Sequence, residues 1–543
     1  MPSPTSLSRR AALGGLATGL SSVGLSSVGL SSVGLSSVGL AFGGLASGRA
    51  AAADLGAPVV ATRHGQVLGR RAGAATVFQG IPYGADTALR RFMPSGPPPA
   101  WDGVRDARAF GPIAPQMRPG RPSIYSSWAN PQPESEDCLN LNVYTPGLDA
   151  SGRRPVMVWF HGGGFVSGSS ALRYADGARL AAKGEVVVVT VNHRLGALGY
   201  LFVPELGAAY ADSGNAGTSD MILALEWVRD NISGFGGDPA NVTIFGQSGG
   251  GAKVSTLMAA PRARGLFHKA IVQSSSNIRG TTPAEARGQT ERVLAAVDAG
   301  GGRPDVRTLP FGDLSAAADR AGVLFNPVVD GRTLPRHPFE PDAPPGSEDV
   351  PLLIGTTKDE TVGLIGGFDT SLFDLTWATL PSHLGPLLPG ADVTKIVADL
   401  RRRAPDATAA DVFFRATTEG QYRRRAIAQA ERKVAQGGAP VFMYLFAWET
   451  PVDGGRWKSS HSIEHGFVFD NLDVSASMVG ADPPQALADA VSSAWVRFAR
   501  SGSPGWPAFD PATRETMIFD TASKVVSDPG RADRLLFAGL SPE

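Results

Sequence analysis

Hydrophobic residues from about residue 139 onward fall in short runs of strand length, and these runs alternate with stretches of helical spacing. Such alternation predicts a mostly parallel β-sheet flanked by helices, that is, an α/β fold. Between two of the runs, Met221, Leu225 and Val228 share one face and predict a helix over 221–232. The predicted strands are 141–144, 156–160, 186–191, 242–245, 350–354 and 441–446.

The pattern is weaker on either side of these strands. Residues 59–69 are typical of a short hairpin, and residues 91–115 are rich in proline and glycine and predict a loop. Residues 363–430 are helical and irregular, so we expect an insertion over the sheet that forms a lid or pocket wall. An amphipathic helix over 484–500 is predicted as the last element. Because no Ser/Gly linker divides the body, residues 54–543 are predicted to form one catalytic domain.

The first 53 residues differ from this body. Arg9 and Arg10 precede a stretch without charge over 11–48, in which Ser-Ser-Val-Gly-Leu occurs four times. Paired arginines before a weakly apolar run resemble a twin-arginine export signal. The alanines at 50–53 suit a small-residue cleavage site. A transmembrane anchor is the alternative, although the many Ser and Gly residues weaken insertion. We expect the twin-arginine export machinery as a partner, cleavage near Ala53, and a secreted or extracytoplasmic protein.

Composition narrows the class of function. The chain has 50 basic and 50 acidic residues and no formal net charge. This balance argues against a nucleic-acid partner or an anionic membrane surface, both of which require a basic excess. Cys138, the one cysteine, cannot close an intramolecular disulfide or build a thiolate metal cage. We expect it to be a small buried apolar residue, with a nucleophilic thiol as the alternative.

A candidate nucleophile lies in Gly246-Gln247-Ser248-Gly249-Gly250, which matches G-x-S-x-G. The motif follows a predicted strand and precedes a stretch that is competent to form a helix. In that context glycines permit a sharp strand-to-helix turn that lifts the serine hydroxyl clear of an α/β-hydrolase sheet. The helix N-terminus beneath it favours developing negative charge. The motif therefore predicts Ser248 as the nucleophile.

A glycine-rich loop is the candidate for stabilising the oxyanion. His161-Gly162-Gly163-Gly164-Phe165 directly follows the predicted strand 156–160. Glycines let backbone N–H groups converge on one oxygen. The alternatives are a flexible loop or a weak phosphate cradle, but the G-x-G-x-x-G spacing is missing because residue 167 is serine.

The acid and the base should follow the serine in chain order. Glu360 and its neighbour Asp359 follow the strand 350–354, and Asp330 is a further candidate that is more typical of a turn. The histidines beyond Glu360 are His383, His461 and His465. The first lies in the predicted insertion, and both others follow the strand 441–446, where the base belongs. The residue pattern alone leaves both pairs of neighbours open.

Several longer motifs extend the comparison over most of the chain. They are Gly80-Ile81-Pro82-Tyr83, Arg91-Phe92, Trp101-Asp102-Gly103-Val104, Ser135-Glu136-Asp137-Cys138-Leu139-Asn140-Leu141-Asn142-Val143, Asn192-His193-Arg194 and Phe235-Gly236-Gly237-Asp238-Pro239-Ala240-Asn241-Val242-Thr243. In this order they resemble the type B carboxylesterase family, relatives of the cholinesterases and of bacterial p-nitrobenzyl esterases. The resemblance extends from Val59 to Phe537.

The resemblance implies an α/β-hydrolase fold with helical insertions over the active site. It implies a serine carboxylesterase that forms an acyl-enzyme, acts on a small-molecule ester and requires no metal or organic cofactor. The implied roles are nucleophile Ser248, acid Glu360 and base His461; oxyanion-hole donors Gly163, Gly164 and Gly249; and supporting positions Glu464 and Ser274. Acyl-chain length, preference between esters and amides, and oligomeric state are not implied.

Three features depart from the family pattern, one of which is Met221, which follows Asp220 where the family usually has glutamine. The family usually has Gly-Glu-Ser-Ala-Gly around the nucleophile, whereas Gln247 and Gly249 flank the serine here. Gly249 still offers its N–H, but the charge of the glutamate is lost. The family's loop disulfide is absent, because Ala114 stands where a partner for Cys138 is expected. We therefore expect the loop over 111–137 to be more mobile.

Two rival interpretations come from other classes of protein. His461-Ser462-Ile463-Glu464-His465 also matches the zinc-protease pattern H-x-x-E-H. That site needs both histidines on one helix face and a further carboxylate ligand, whereas nearby glycines favour a loop. A catalytically inactive binding or adhesion module on the same fold is the second alternative. Such modules typically lack the serine or the histidine, and both are present here.

Overall fold

The computed structural model describes residues 56–116, 123–298 and 305–541. The predicted export signal over 1–53 lies outside these residues. The strands are β1 Val59–Thr62, β2 Gly65–Leu68, β3 Arg70–Ala72, β4 Ala75–Pro82, β5 Val104–Asp106, β6 Asn140–Thr145, β7 Arg154–Phe160, β8 Val187–Val191, β9 Gly237–Gln247, β10 Lys269–Gln273, β11 Leu352–Thr357, β12 Val441–Phe446, β13 Glu515–Phe519 and β14 Lys524–Ser527.

The α-helices alternate with the strands in the first half of the chain and dominate the second half. They are α1 Ala178–Gly184, α2 Gly196–Tyr200, α3 Ala216–Asn231, α4 Gly249–Ala259, α5 Pro283–Asp298, α6 Phe311–Arg320, α7 Glu360–Leu364, α8 Leu380–Leu384, α9 Val393–Arg403, α10 Ala409–Thr418, α11 Arg424–Ala435, α12 His465–Val468, α13 Ala476–Val479, α14 Gln485–Ser501 and α15 Arg531–Phe537.

Eleven strands form one sheet in the order β14-β13-β12-β11-β10-β9-β7-β8-β6-β4-β3. The strands from β8 to β13 in this order run parallel, and the strands at both edges pair antiparallel. Parallel strands need helical cover on both faces. The predicted α/β fold is confirmed, and the carboxyl ends of the parallel strands define the edge where a site is expected.

Helices cover both faces of this sheet. Along β7, Val156 and Val158 pack into one hydrophobic cluster, whereas Met157 and Trp159 pack into the other, because successive side chains of a strand point to opposite faces. The first cluster includes side chains of α3, α4 and α11. The second includes side chains of α1, α12 and α14. The β-branched residues of Val187–Val191 are buried throughout, as expected for a central strand.

Several elements differ from the predictions. The hairpin over 59–69 is confirmed as β1 and β2, but the predicted loop over 91–115 contains β5, a three-residue exposed strand that pairs with β2. Strand β10 was not predicted, because only Ala270, Ile271 and Val272 lie between its polar ends. The helix over 484–500 is present as α14 but is not the last element, since two half-exposed strands and α15 follow it.

The segment over 363–430 is helical and without strands, as predicted. Its helices surround a hydrophobic cluster of their own, to which α15 adds Phe537. Between α10 and α11 the chain forms a π-helical turn at Glu419–Arg423. The role of this insertion as a lid or pocket wall stays a prediction.

Cys138 is buried and free, which confirms the prediction of a buried apolar residue. Burial raises the pKa of its thiol, so little thiolate forms for nucleophilic chemistry. Ala114 is buried in the same hydrophobic cluster. No helix among the described residues combines the length and hydropathy that a membrane span requires.

Candidate active site

Ser248 occupies the turn between β9 and α4. Its backbone has φ 57° and ψ −129°, a strained conformation for a residue with a side chain. Its N–H donates to the Gln273 carbonyl at 2.8 Å, and its own carbonyl accepts from Ala252 at 3.1 Å. A β-carbon on Gly250 would lie 2.0 Å from the Phe160 carbonyl oxygen. The predicted strand–turn–helix context is therefore present, and glycine is required where the turn passes the neighbouring strand.

Glu360 and His461 form a buried pair near this turn. Glu360 begins α7 just after β11, and the backbone bridge between Asp359 and Ser460 brings the two segments together. The Glu360 Oε2 atom lies 2.5 Å from His461 Nδ1, and Glu360 Oε1 accepts a hydrogen bond from Thr357 N–H at 2.9 Å. A carboxylate at Nδ1 orients the imidazole and leaves Nε2 free of a proton to act as a base.

The rival carboxylates have other partners. Asp359 accepts a hydrogen bond from Ser459 N–H at 3.3 Å, and burial raises the pKa of its carboxyl group. Asp330 accepts from the N–H groups of Arg332 and Leu334, which is the turn role expected for it. Among the described residues, Glu360 is the acid candidate that contacts a histidine ring.

The rival histidines are also placed differently. His465 stacks on the Tyr174 ring with 4.0 Å between centroids, and burial lowers the pKa of its imidazole well below the ordinary value. His383 is exposed on α8, with Nδ1 2.9 Å from the Thr379 carbonyl oxygen. The helix that includes His465 begins at that residue, so His461 does not share its face as the zinc pattern requires. No group of three metal-type ligands is found within the described residues.

The glycine-rich loop lies against the serine turn. A β-carbon on Gly162 would lie 3.5 Å from the Ser248 β-carbon, and one on Gly249 would lie 2.4 Å from the Gly164 nitrogen. Gly163 and Gly164 have φ values of 87° and 60°, which favour glycine. Within the described chain, the N–H groups of Gly163, Gly164 and Gly249 donate to no other protein group. These three donors are available to an oxygen beside Ser248.

A lysine that no sequence motif marks supports this loop. Lys253 on α4 is buried, and its ammonium group donates to the His161 carbonyl at 2.7 Å. Burial lowers the pKa of Lys253 well below the ordinary value. The imidazoles of His161 and His193 stack on each other next to Lys253, with 4.8 Å between the ring centroids. Burial and the charge of Lys253 lower the pKa of both histidines. The feature of the sequence that could have pointed to Lys253 is that it is the single charged residue in the run over 239–261.

Gln247 contacts the candidate base directly. Its side chain is buried, and its Nε2 atom lies 3.3 Å from His461 Nε2. Its Oε1 atom accepts a hydrogen bond from the Ser462 hydroxyl at 3.0 Å. Among the described residues, the Ser248 hydroxyl makes no side-chain hydrogen bond. The sequence marked Gln247 only as a departure, because spacing does not reveal a contact across more than two hundred residues.

Glu464 and Ser274 lie next to this constellation. The Ser274 hydroxyl donates to Glu464 Oε1 at 3.4 Å, and Gln273 Nε2 approaches the same oxygen at 3.5 Å. Burial, together with the charge of Glu360, raises the pKa of Glu464 to about 7. The structure therefore brings the residues named for the site together around the ends of β9, β10 and β11. Their catalytic roles stay predictions.

Comparisons with known proteins identify the family of the chain. The sequence model of the Carboxylesterase family matches residues 56–535. The chain is similar to a para-nitrobenzyl esterase of Bacillus subtilis (strain 168), with 38% identity over 493 residues, 87% of this chain and 96% of the relative. It is also similar to a phenmedipham hydrolase of Pseudarthrobacter oxydans, with 33% identity over 522 residues, 88% of this chain and 98% of the relative.

A solved structure shows the same similarity. The carboxylesterase EST55 of Geobacillus stearothermophilus superposes with a TM-score of 0.78 at 37% identity, over 88% of this chain and 99% of that one. Fold and similarity together define a carboxylic ester hydrolase with the α/β-hydrolase fold. The chain belongs to the carboxylesterase family. This confirms the resemblance found in the sequence and disfavours an inactive binding module.

Proposed function

We propose that the chain hydrolyses small carboxylic esters through an acyl-enzyme on Ser248, with His461 as base and Glu360 as the acid that orients it. The observation that carries this assignment is the 2.5 Å contact between Glu360 Oε2 and His461 Nδ1. Both side chains are almost fully buried, so the contact is shielded from water. The contact supports Glu360 over its neighbour Asp359 and His461 over its neighbour His465.

The proposed reaction follows from the positions of these groups. His461 Nε2 accepts the proton of the Ser248 hydroxyl while Oγ bonds to the ester carbonyl carbon. The N–H groups of Gly163, Gly164 and Gly249 then bind the oxyanion. Each such donor is typically worth about 2.7–4 kcal/mol of transition-state stabilisation.

Proton return completes each half of the reaction. The imidazolium gives its proton to the leaving oxygen, the alcohol departs, and the acyl group stays on Ser248. Water then attacks the acyl carbon, gives its proton to His461 Nε2, and the serine recovers its hydrogen as the acid leaves. Esters have the better leaving group, so we propose esters rather than amides as substrates.

The substrate class follows from the relatives and from the loops at the site. The relatives carry the names para-nitrobenzyl esterase and phenmedipham hydrolase, which indicate aromatic substrates for those proteins. We propose a small ester with an aromatic group on its alcohol side for this chain. Phe165 packs against Tyr200 beside the glycine loop and is buried, as are Phe467 and Phe469. The insertion over 363–430 is proposed as the wall that sets acyl-chain length.

We also propose that the protein is exported. The support is Arg9 and Arg10 ahead of the uncharged run over 11–48 and the alanines at 50–53. N-terminal sequencing of the exported protein is expected to find Ala53 or Asp54 as the first residue. An intact Met1 in the exported protein would contradict the proposal.

Covalent trapping tests the serine assignment. A fluorophosphonate ester that mimics the tetrahedral intermediate is incubated with the wild type, Ser248→Ala and His461→Ala, and the labelled peptide is identified by mass spectrometry. We expect one label on Ser248 in the wild type, none in Ser248→Ala, and much slower labelling in His461→Ala. Labelling of another residue, or chelator-sensitive hydrolysis that survives Ser248→Ala, would overturn the assignment.

A further inference from the structure

The side chain of Gln247 lies between the candidate base and Ser462. Its nitrogen is 3.3 Å from His461 Nε2, and its oxygen accepts from the Ser462 hydroxyl at 3.0 Å. Glu360 contacts the opposite nitrogen of the same imidazole at 2.5 Å. The four side chains thus form a continuous buried line, Glu360–His461–Gln247–Ser462.

With a neutral imidazole, the contacts of this line allow one order of hydrogen atoms. A proton on His461 Nδ1 faces the Glu360 carboxylate, so Nε2 carries a lone pair and needs a donor. The amide end that faces it must then be the NH₂ group, which leaves the amide oxygen for Ser462. In this state the Ser462 hydroxyl donates to that oxygen. Each contact therefore supports the assignment of the next.

Other titratable groups surround the imidazole. Glu464 and His465 lie on its own segment, and both interact with it electrostatically. Tyr422, from the π-helical turn, packs edge-on against the ring at 5.6 Å, and the Tyr125 hydroxyl donates to the His461 carbonyl at 3.3 Å. Burial raises the pKa of both tyrosines, so they are neutral in the working range. The negative charge beside the ring comes from Glu360 and from Glu464 when that residue is ionised.

A glutamate in place of Gln247 would add another buried negative charge beside the imidazole. Such a charge stabilises imidazolium and favours protonation of the base at higher pH. An amide adds no charge, and its NH₂ group favours the neutral imidazole because it binds the Nε2 lone pair. The amide also suits the later steps, because it can turn and present its oxygen to Nε2–H while Ser462 accepts from the NH₂ group.

On the basis of the proposed function, we propose that Gln247 is a positioning residue for His461, holding Nε2 in the resting enzyme and keeping the base unprotonated at lower pH than a carboxylate there would allow. The neutral amide releases Nε2 to the Ser248 hydroxyl when an ester binds. Ser462 acts through Gln247, because its hydroxyl binds the far end of the amide and so holds the side chain against the imidazole.

The first test compares pH profiles of kcat/KM for p-nitrophenyl butyrate in the wild-type chain, Gln247→Glu and the matched control Gln66→Glu, which places the same change on an exposed strand. We expect Gln247→Glu to move the acid limb to higher pH by about one unit, and Gln66→Glu to leave it in place. The pair is repeated in a Glu464→Gln background, which removes the titration of that carboxyl group. An acid limb of Gln247→Glu that coincides with the wild type overturns the proposal.

A double-mutant cycle tests the part of Ser462. Gln247→Met keeps the side-chain length without the amide, and we expect it to lower kcat about five-fold with little change in KM. Ser462→Ala should lower kcat in the same direction, but should have no further effect in the Gln247→Met background. Fully additive effects would overturn the proposed line of contacts. A wild-type chain that hydrolyses no ester would contradict the proposed function as well. An active wild type, together with variants whose pH profile and kcat do not change, would contradict only the role of Gln247.

Discussion

Gly249 faces Gly164 so closely that a β-carbon at position 249 would lie 2.2 Å from the Gly164 oxygen and 2.4 Å from its nitrogen. Both atoms belong to the backbone, so a larger residue requires the glycine-rich loop to move. The family usually has alanine at position 249, one of the departures noted in the sequence. In this chain, the position of the glycine-rich loop therefore requires glycine at 249.

Gly249→Ala is expected to displace the proposed oxyanion donors. Because a misplacement of about 1 Å can lower a rate about a hundred-fold, we expect kcat to fall by about that factor while KM changes little. Steady-state kinetics with p-nitrophenyl butyrate measure the effect. Gly288→Ala on α5 is the matched control, since its β-carbon would meet only a flexible arginine end at 3.9 Å. Equal kcat values for both variants would contradict this account of the loop.

Substitutions of the neighbouring histidines His461 and His465 should affect different properties, kcat in the first case and stability in the second. His461→Ala removes the proposed base and is expected to lower kcat about a thousand-fold or more. His465→Leu removes a ring that packs on Tyr174 and Trp159, so we expect lower stability but kcat within about ten-fold of the wild type. Kinetics and thermal melting of both variants measure the two effects. An active His461→Ala beside an inactive, folded His465→Leu would reverse the assignment.

Glu464 should make the stability of the fold depend on pH. Its pKa is raised from 4.5 to about 7 in the fold, so the folded state favours the neutral carboxyl group. Below pH 4.5 the Glu464 carboxyl group is protonated in both the folded and the unfolded chain, so the free energy of unfolding loses nothing. As the pH rises toward 7 the unfolded chain ionises first, and the fold loses about 3 kcal/mol.

Denaturant unfolding of the wild type and Glu464→Gln at about pH 4.5 and pH 8 measures this difference. The wild type should lose about 3 kcal/mol more than the variant over this range. Glu205→Gln, a change on the exposed surface, should behave as the wild type does. Parallel pH dependences for the wild type and Glu464→Gln would show that Glu464 ionises freely in the fold.

Arg194 and Asp220 form a fully buried ion pair with contacts of 2.8 and 2.7 Å. Asp220→Asn leaves the guanidinium buried without its counter-charge, so we expect a loss of about 3–5 kcal/mol in the free energy of unfolding. Asp106→Asn breaks an exposed pair with Arg108 and should cost about 1 kcal/mol or less. Unfolding midpoints measure both variants, and equal losses would contradict the importance of burial.

The sequence predicted the parts of the fold that depend on long apolar runs. Strands such as β8 and β12 are buried on both faces, and their β-branched and aromatic residues mark them clearly. Strand β10 was missed because its apolar part is three residues long and its position depends on the neighbours β9 and β11. Strand β5 is fully exposed and leaves no hydrophobic pattern at all.

The candidate site was predictable to the level of motifs. The G-x-S-x-G turn and the glycine-rich loop carry local signals, because their glycines are needed within a few residues of the chemistry. The partners of Gln247 and Lys253 were not predictable, since each contacts a residue that the fold brings from another element. Residue spacing also left open the choice between Glu360 and Asp359 as the acid and between His461 and His465 as the base. The family resemblance and the three-dimensional contacts favour Glu360 and His461.

If Ser248 is the nucleophile of an esterase, every turnover requires its hydroxyl group. The most direct measurement is hydrolysis of p-nitrophenyl butyrate by the chain from Asp54 onward, beside its Ser248→Ala twin at matched concentration. We expect rapid release of p-nitrophenol by the wild type and a loss of about a thousand-fold or more in the twin. Equal hydrolysis by both folded proteins, or none by either, would contradict this role of Ser248.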